Sequence, residues 1–257
     1  MAEGRPVRVG VIGTGGMGGR HARNLAASVA GAQVVAVMDS DRERAERVAE
    51  ECGHARVHTD PHALITDGAV DAVVVASPDH THAELTLACI EERKPVLCEK
   101  PLATSAALAE RVVQVEGRQA GSGQRLVQVG FMREYDPSHR AVFDLIRRGE
   151  IGRPLLFRGT HINLAQDRPR TLTDVVVGSA VHDIHTARWL LAEEVREVHA
   201  RWIPSDPASP DSCRLVVIQM TLANGSLALI EVNAESGYGY EVDVEVTGEQ
   251  GGCIPPR

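Results

Sequence analysis

Three glycines near the start of the chain have the spacing of a phosphate-binding turn. Gly13, Gly15 and Gly18 lie between an apolar run, VRVGVI, and a helix-like segment. In such a turn the first glycine permits the bend, the second lets a pyrophosphate approach the backbone, and the third lets the helix pack on the strand. The amides at the helix start then face the phosphates. Because this spacing occurs often by chance, its context decides its meaning.

An acidic residue supplies that context. Asp39 ends the next strand-like run, VVAVMD, about 20 residues past the glycines, where a carboxylate accepts the hydroxyls of the adenosine ribose. Its charge would repel the 2′-phosphate of NADP, so the pattern favours NAD, although Arg42 nearby could soften that choice. The adjoining residues Thr14, Met17 and Ser40 are further predicted cofactor contacts.

The elements that must position these residues alternate between short apolar runs and helix-like stretches. Near-continuous Val and Ile runs predict strands covered on both faces, as in a parallel sheet flanked by helices. We therefore predict an α/β protein whose residues 1–131 form a Rossmann domain with a doubly wound parallel sheet. Its strands are predicted at residues 7–12, 34–38, 72–76, 96–98 and 126–129, the last preceded by a Gly-rich loop at 116–124.

The sequence of the second half predicts an α+β domain over residues 132–257 with a mostly antiparallel, open-faced sheet. Runs such as LVVIQMTL alternate in polarity, which indicates one covered and one open face. Asn224-Gly225 between two such runs predicts a hairpin, because both residues tolerate positive φ. Helices are predicted at residues 138–148 and 180–191, and strands at 155–160, 198–203, 214–222 and 226–234.

Composition excludes several classes of function. The chain is 43% hydrophobic and 24% charged, as is typical of globular proteins. A net charge of −8 argues against a nucleic-acid partner, which would require clustered Lys and Arg. No apolar run is long enough to span a bilayer, and the N-terminus lacks the apolar core of a signal peptide. We therefore expect no membrane association and a cytoplasmic location.

Cysteine and histidine usage argues against a metal site. The five cysteines show no CxxC spacing, which predicts reduced, mostly buried thiols rather than disulfides or a zinc site. The HxH at His80 and His82 has no convincing acidic or thiol partners nearby, so a metalloenzyme is the weakest alternative.

The segment ASPDHTHAELTLACIEERKPVLCEKPLA resembles the glucose-fructose oxidoreductase, inositol dehydrogenase and MocA family, and the resemblance extends through nearly the whole chain. Its most specific part is Glu99-Lys100-Pro101. In that family the lysine lies beside the nicotinamide and helps the substrate hydroxyl lose its proton, which implies a catalytic role for Lys100. The cofactor contacts implied here are Ser77, Pro78, His80, Glu99 and Lys100.

A second catalytic residue follows from the helix-like segment SAVHDIHTARWLL, which resembles the family's catalytic helix. His182 matches the histidine that acts there as general base on the hydroxyl being oxidised. Imidazole titrates near neutrality and can take that proton at working pH. For His182 a core histidine bonded to a carbonyl is the alternative, and for Lys100 an exposed loop lysine.

Within the family the second half is similar to inositol 2-dehydrogenases, on the segments VGFMREYDP, IGRPL and HIN. The implied polyol pocket contains Met132, Arg133, His161, Asn163 and His182, with Tyr238 or Tyr240 closing it.

Two departures from the family pattern stand out. Members usually carry Asp four residues before the catalytic histidine, where this chain has Gly178. Asp183 is a poor replacement, because adjacent helical residues point about 100° apart, and we expect it to have a local structural role. Relatives also continue past the point where this chain ends, so we expect a C-terminally shortened second domain with an uncovered sheet edge or face.

Together these features predict reversible hydride transfer between NAD and a secondary alcohol of a cyclitol, such as myo-inositol, or of a sugar. One alternative is a sugar or aminosugar dehydrogenase with a changed pocket. Another is a catalytically impaired NAD-binding protein, because of Gly178 and the shortened C-terminus. The resemblance further implies a homo-oligomer, either a dimer or a tetramer built on the second-domain sheet.

Overall fold

The computed structural model describes residues 5–119, 123 and 125–255. Its Cα packing divides the chain into two units, Met1–Gly130 and Phe131–Arg257. Residues 120–122 and 124, which belong to the Gly-rich loop predicted at 116–124, lie outside the described residues.

The first unit alternates strands and helices. Its strands are β1 (Val7–Ile12), β2 (Ala32–Met38), β3 (Arg56–His58), β4 (Ala72–Val75), β5 (Val96–Cys98) and β6 (Val127–Val129). Its helices are α1 (Gly16–Ser28), α2 (Arg42–Glu51), α3 (Pro61–Thr66), α4 (His82–Glu91), preceded by a 3-10 turn at Asp79–Thr81, and α5 (Ala106–Gln119).

In the described part of this unit the six strands form one parallel sheet in the order β3-β2-β1-β4-β5-β6. The doubly wound parallel sheet predicted from the sequence is thus confirmed, and its five predicted strands agree with the observed ones within two residues at each end. The short edge strand β3 was not predicted, because Arg56-Val57-His58 has only one apolar residue.

Consecutive residues of the central strand face opposite sides of the sheet. Val11 packs in a cluster with Ala22 of α1 and Val48 of α2. Ile12 packs in another cluster, with Leu64 of α3 and residues of α4. Because both faces are covered, the last residues of β1, Val11 and Ile12, are apolar. Polar contacts to a ligand must then come from the loops at the carboxyl edge of the sheet.

The second unit begins with a 3-10 turn at Met132–Tyr135. Its helices are α6 (Pro137–Arg147), α7 (Leu172–Val175) and α8 (Val181–Leu191), the last two joined by a π turn at Val176–Ala180. Its strands are β7 (Pro154–Leu164), β8 (Val195–Ile203), β9 (Leu215–Leu222), β10 (Leu227–Ser236), β11 (Glu241–Gly248) and β12 (Gly252–Cys253).

The strands of the second unit form a sheet in the order β12-β11-β7-β10-β9-β8. Only the β10–β7 pairing of this described sheet is parallel, so the predicted mostly antiparallel sheet is confirmed. Along β10 the side chains alternate between buried and exposed: Ile230 is in the core, whereas Leu227 and Leu229 are 39% and 40% exposed. One face of the sheet is therefore open in this chain.

The hairpin predicted at Asn224-Gly225 joins β9 to β10. Gly225 has a φ of +84°, whereas Asn224 contributes through its side chain. Its Oδ1 accepts hydrogen bonds from the backbone N and Oγ of Ser226, at 2.9 and 2.7 Å. The turn therefore requires a positive φ at the glycine and an acceptor at the asparagine.

The cysteines are free thiols, of which Cys253 alone is partly exposed among the five. Burial raises the pKa of Cys89 to about 12 and that of Cys98 to about 11, so both stay protonated near neutral pH. Within the described ranges, no three His, Cys, Asp or Glu side chains lie together as a metal-binding group. No described helix has the length and apolar character needed to cross a membrane.

Candidate functional site

The turn between β1 and α1 is packed so tightly that two of its positions admit only glycine. Gly13 has a φ of +88°, and a Cβ there would lie 2.6 Å from the carbonyl oxygen of Ala76 at the end of β4. A Cβ on Gly18 would lie 1.7 Å from the carbonyl oxygen of Gly13. The first turn of α1 therefore lies directly on the β1 turn, which orients the helix axis toward the carboxyl edge of the sheet.

The start of α1 is open to a ligand. Gly15 is the N-cap and supplies no side-chain hydrogen bond to the helix. A Cβ on Gly15 or Gly16 would meet no atom within 4 Å. The first amides of a helix have no partner within the helix and carry the positive end of its dipole. This uncapped, unobstructed start fits the pyrophosphate of a dinucleotide.

Asp39 follows β2 at the same edge and is only 7% exposed. Its Oδ2 accepts hydrogen bonds from Thr14 N and Oγ1 at 2.8 and 2.9 Å, and its Oδ1 accepts one from Asp41 N at 3.0 Å. Burial raises the pKa of Asp39, but the hydrogen bonds from Asp41 and Thr14 outweigh it and hold that pKa below its usual value. The carboxylate is therefore charged at neutral pH.

The hydrogen bonds of Asp39 limit what it can offer a ribose. An ionised carboxylate has about four lone-pair sites, and Thr14 uses those of Oδ2. Oδ1 keeps one site for a ribose hydroxyl. The cation near this carboxylate is Arg44, whose Nη1 lies 3.6 Å from Oδ2. Arg42, considered from the sequence, instead pairs with Glu46 on the exposed side of α2.

A cavity of about 540 Å³ lies over this edge of the sheet. Of the predicted cofactor contacts, those that line it are Gly13, Gly15, Met17, Asp39, Ser40, Ser77 and Pro78. Thr14 lies behind Asp39, and Gly18 lies against Gly13. The sequence analysis missed Arg44 and Thr81, which also line the cavity. Their sequence signals were weak, since Arg44 is one of three arginines in α2 and Thr81 lies in a short turn.

His80 lies elsewhere. It lines a separate groove of about 430 Å³ together with His62 and Glu84, and it is absent from the lining of the cofactor cavity as far as the described residues define it. The HxH spacing places His80 and His82 on different sides of the turn, because only His82 is buried.

Glu99 and Lys100 follow β5, and the side chain of Glu99 joins this loop to α1. Glu99 Oε1 accepts a hydrogen bond from His21 Nε2 of α1 at 2.7 Å, and its Oε2 accepts one from the backbone N of Lys100 at 3.2 Å. Burial raises the pKa of Glu99, but the bond from His21 and the nearby charges lower it overall. Glu99 thereby connects the backbone of the partly buried Lys100 to helix α1.

His82 links the two loops that follow β4 and β5. The ring is 1% exposed. Its Nε2 lies 2.8 Å from the carbonyl oxygen of Ser77, and its Nδ1 lies 2.7 Å from that of Pro101. Both carbonyl oxygens can only accept a hydrogen bond, and which ring nitrogen donates depends on the tautomer. The ring therefore lies between Ser77, which lines the cavity, and Pro101, which follows Lys100. It had been considered from the sequence only as half of a metal pair.

In the second unit a buried carboxylate organises two of the predicted polyol residues. Asp183 of α8 is fully buried. It accepts hydrogen bonds from Arg133 Nη1 at 2.7 Å and from His161 Nδ1 at 3.0 Å. Burial raises the pKa of Asp183, but the bond from His161 and the charge of Arg133 hold it below its usual value. The local structural role expected for Asp183 is therefore to hold Arg133 and His161 in place.

The other predicted polyol residues differ widely in exposure. His182 is 8% exposed, whereas Met132 and Tyr238 are 58% and 74% exposed. Asn163 Nδ2 donates a hydrogen bond to Ser179 Oγ at 3.3 Å. Of the two candidate tyrosines, Tyr240 and not Tyr238 packs on His161, edge to face with ring centroids 5.9 Å apart.

Comparison with known proteins decides the family. Residues 7–131 match the oxidoreductase family with an NAD-binding Rossmann fold, and residues 139–254 match the GFO/IDH/MocA C-terminal domain. The chain belongs to this family. It is an NAD-dependent oxidoreductase, and the resemblance inferred from the sequence is confirmed.

Several relatives match almost the whole chain. It is 50% identical to an inositol 2-dehydrogenase from Rubrobacter xylanophilus, over 97% of this chain and 72% of that protein. It is 46% identical to inositol 2-dehydrogenase 2 from Saccharopolyspora erythraea, over 95% and 72%. Among solved structures, myo-inositol dehydrogenase from Lactobacillus casei in complex with NAD(H) and myo-inositol is 33% identical and has a TM-score of 0.90, covering 98% of this chain and 74% of that one. These comparisons give no support to a binding-only protein.

Proposed function

We propose that this family member oxidises a ring secondary alcohol of a cyclitol, of which myo-inositol is the type, and transfers the hydride to NAD. The observation that carries the proposal is the similarity across both units to a myo-inositol dehydrogenase solved with NAD(H) and its cyclitol. The uncapped start of α1, the charged Asp39 and the cavity of about 540 Å³ between them support NAD as the cofactor.

We assign removal of the proton from the reacting hydroxyl to two residues, Lys100 and His182. NAD, when bound, supplies the hydride acceptor. Lys100 stabilises the oxygen as its proton leaves, and His182 takes that proton as general base. Positioned acid–base groups of this kind contribute about 10²–10⁴-fold to rate. Glu99 fixes the backbone of Lys100, and α8 carries His182.

The polyol contacts are assigned to the second unit. His161 is held by Asp183 and lies against Tyr240, so its outer ring edge is fixed for a hydroxyl. The side chain of Asn163 is oriented by its hydrogen bond to Ser179 Oγ. Arg133 acts through Asp183, since its guanidinium is 4% exposed and bonded to that carboxylate. We assign residues 1–131 to cofactor binding and 132–257 to substrate binding and assembly.

We also propose a homo-oligomer built on the open face of the second-unit sheet. Leu227, Leu229 and Ile203 lie on that face with 39%, 40% and 58% of their surfaces exposed. Exposed apolar side chains on an open sheet face favour burial against a second copy. Five free thiols further support a reducing compartment, the cytoplasm.

A substrate panel tests the activity. Purified protein with NAD is given myo-inositol, scyllo-inositol, glucose and glucosamine, and NADH formation is followed by absorbance. We expect turnover with at least one cyclitol. Lys100→Met and His182→Asn should each lower kcat by about 10²-fold or more, and His182→Asn should keep NADH binding by calorimetry. The matched control is His62→Asn, at an exposed position of α3. NADH binding without turnover of any substrate would refute the proposal.

A further inference from the structure

The guanidinium of Arg170 covers Gly178. A Cβ built on Gly178 would lie 2.6 Å from Arg170 Nη2. Gly178 is part of the π turn Val176–Ala180 that leads into α8, one helical turn before His182. Interruptions of this kind in a helix often mark functional sites. The space that a side chain at position 178 would need is therefore filled by a cation from the preceding loop.

Arg170 is joined to the residues assigned to the polyol. Its Nη1 donates a hydrogen bond to Ser179 Oγ at 3.2 Å, and its Nη2 donates one to the carbonyl oxygen of Asp174 at 2.8 Å. Ser179 is 3% exposed, and its Oγ also accepts from Asn163 Nδ2. One buried hydroxyl thus connects the guanidinium to Asn163.

Arg170 makes no direct ion pair, although its charge lowers the pKa of the nearby Asp174 carboxyl. Both of its bonded oxygens are neutral, and no carboxylate of the described residues lies within ion-pair distance of it. The carboxylate of Asp174 is turned to Thr171 N instead, at 3.0 Å, and Asp183 is already paired with Arg133. A guanidinium has five N–H donors. Two are used here, so three remain for a ligand.

We propose that Arg170 binds an anionic substituent of the substrate, a carboxylate or a phosphate carried by the polyol ring. This inference rests on the proposed function and narrows its substrate. Guanidinium is suited to such groups because its parallel N–H bonds match two oxygens at once. A side chain at position 178 would displace the guanidinium, and a carboxylate there would also neutralise it; glycine leaves both its place and its charge intact.

Two matched pairs of ligands test the proposal: glucose against glucuronate, and myo-inositol against myo-inositol 1-phosphate. Their binding to NADH-saturated protein is measured by calorimetry, and kcat/KM is measured wherever turnover occurs. We expect the anionic member of at least one pair to bind tighter by on the order of tenfold, as for one charge-assisted hydrogen bond. This preference should shrink as salt is raised.

Variants at two loop positions test whether Arg170 causes the preference for anionic ligands. Arg170→Met should bring the ratio between anionic and neutral ligand close to one, and Arg170→Lys should keep part of it. The matched control is Arg168→Met, which removes the same charge from an exposed position two residues away. Unchanged NADH affinity checks that each variant is folded.

The outcomes separate the two proposals. Equal or tighter binding of the neutral members by the wild type, or a preference that survives in Arg170→Met, would overturn the role of Arg170 while leaving the oxidoreductase assignment intact. Anionic preference in binding without NAD reduction by any panel member would instead refute the proposed reaction and retain the anion site.

Discussion

Asp183 binds Arg133 through both carboxylate oxygens, at 2.7 and 3.4 Å, and the two side chains are 0% and 5% exposed. A pair this deeply buried is costly to break, because removing one partner leaves the other charge without water or a counter-ion. The same carboxylate also fixes His161, so the pair connects the stability of the second unit to the geometry of its proposed polyol site.

Asp183→Asn should therefore lower the free energy of unfolding by about 3–5 kcal/mol, the usual cost of breaking a buried pair. Urea unfolding followed by tryptophan fluorescence and circular dichroism measures it. The control is Glu46→Gln, which breaks an exposed pair with Arg42 and should cost less than about 1 kcal/mol. Similar small losses in both variants would show that the pair contributes little.

The same variant should change how stability depends on pH. The pKa of Asp183 is lowered in the folded state, so the unfolded carboxyl takes up its proton at a higher pH than the folded one does. Its stabilising contribution is present above about pH 4, the unfolded pKa, and is lost as the pH falls toward the folded pKa.

We therefore expect the stability difference between wild type and Asp183→Asn to narrow below about pH 4. Other carboxyls with lowered pKa values, such as Asp39 and Asp67, titrate in both proteins and cancel in the comparison. A stability difference that stayed constant from neutral pH into this acid range would contradict the electrostatic origin of the effect.

The first unit was predictable from sequence because its signals are local. Val and Ile runs define the buried strands, and Gly13 and Gly18 stand where any Cβ would collide with the backbone. The carboxylate at the end of β2 completed the pattern. Such features depend on residues close in the chain, so periodicity and spacing indicate them.

The arrangement of the second unit was less accessible. Asp183, Arg133 and His161 come from three separate elements, and no spacing in the sequence shows that one carboxylate serves the other two. The same holds for Arg170, whose position over Gly178 follows from the path of a loop. Pairings between distant segments are set by tertiary packing, which local patterns do not record.

Asp39→Asn should weaken NADH binding by on the order of tenfold and reduce the discrimination against NADPH, because it removes the charge that we assign to the ribose. Arg44, 3.6 Å from that carboxylate, would then be available to a 2′-phosphate. Calorimetric titration with both cofactors measures the two affinities, with Glu46→Gln as a control on the exposed side of α2. Unchanged affinity and unchanged discrimination would exclude this role.

His82 should act as a positioning residue for Lys100, through the carbonyls of Ser77 and Pro101. His82→Ala removes the imidazole donor from between these two carbonyl oxygens, and leaving a buried acceptor without a donor costs about 1–3 kcal/mol. We expect misplacement of Lys100 to raise the activation free energy by about 1.4 kcal/mol or more, so that kcat falls by more than tenfold. The change in substrate KM should be smaller.

The conservative variant His82→Gln keeps one amide donor and should restore part of kcat. Steady-state kinetics beside urea unfolding separates positioning from stability alone. If both variants lost stability but kept the wild-type kcat, the residue would hold the fold without orienting Lys100.

Isotope transfer tests the central claim most directly. The panel member with the highest kcat/KM is prepared with deuterium on its ring carbons and incubated with NAD and the wild-type protein. The products are examined by mass spectrometry and NMR. Direct hydride transfer predicts one deuterium in the reduced nicotinamide for each ketone formed on the ring. A ketone that forms while the reduced nicotinamide carries only protium, or the absence of both products, would contradict it.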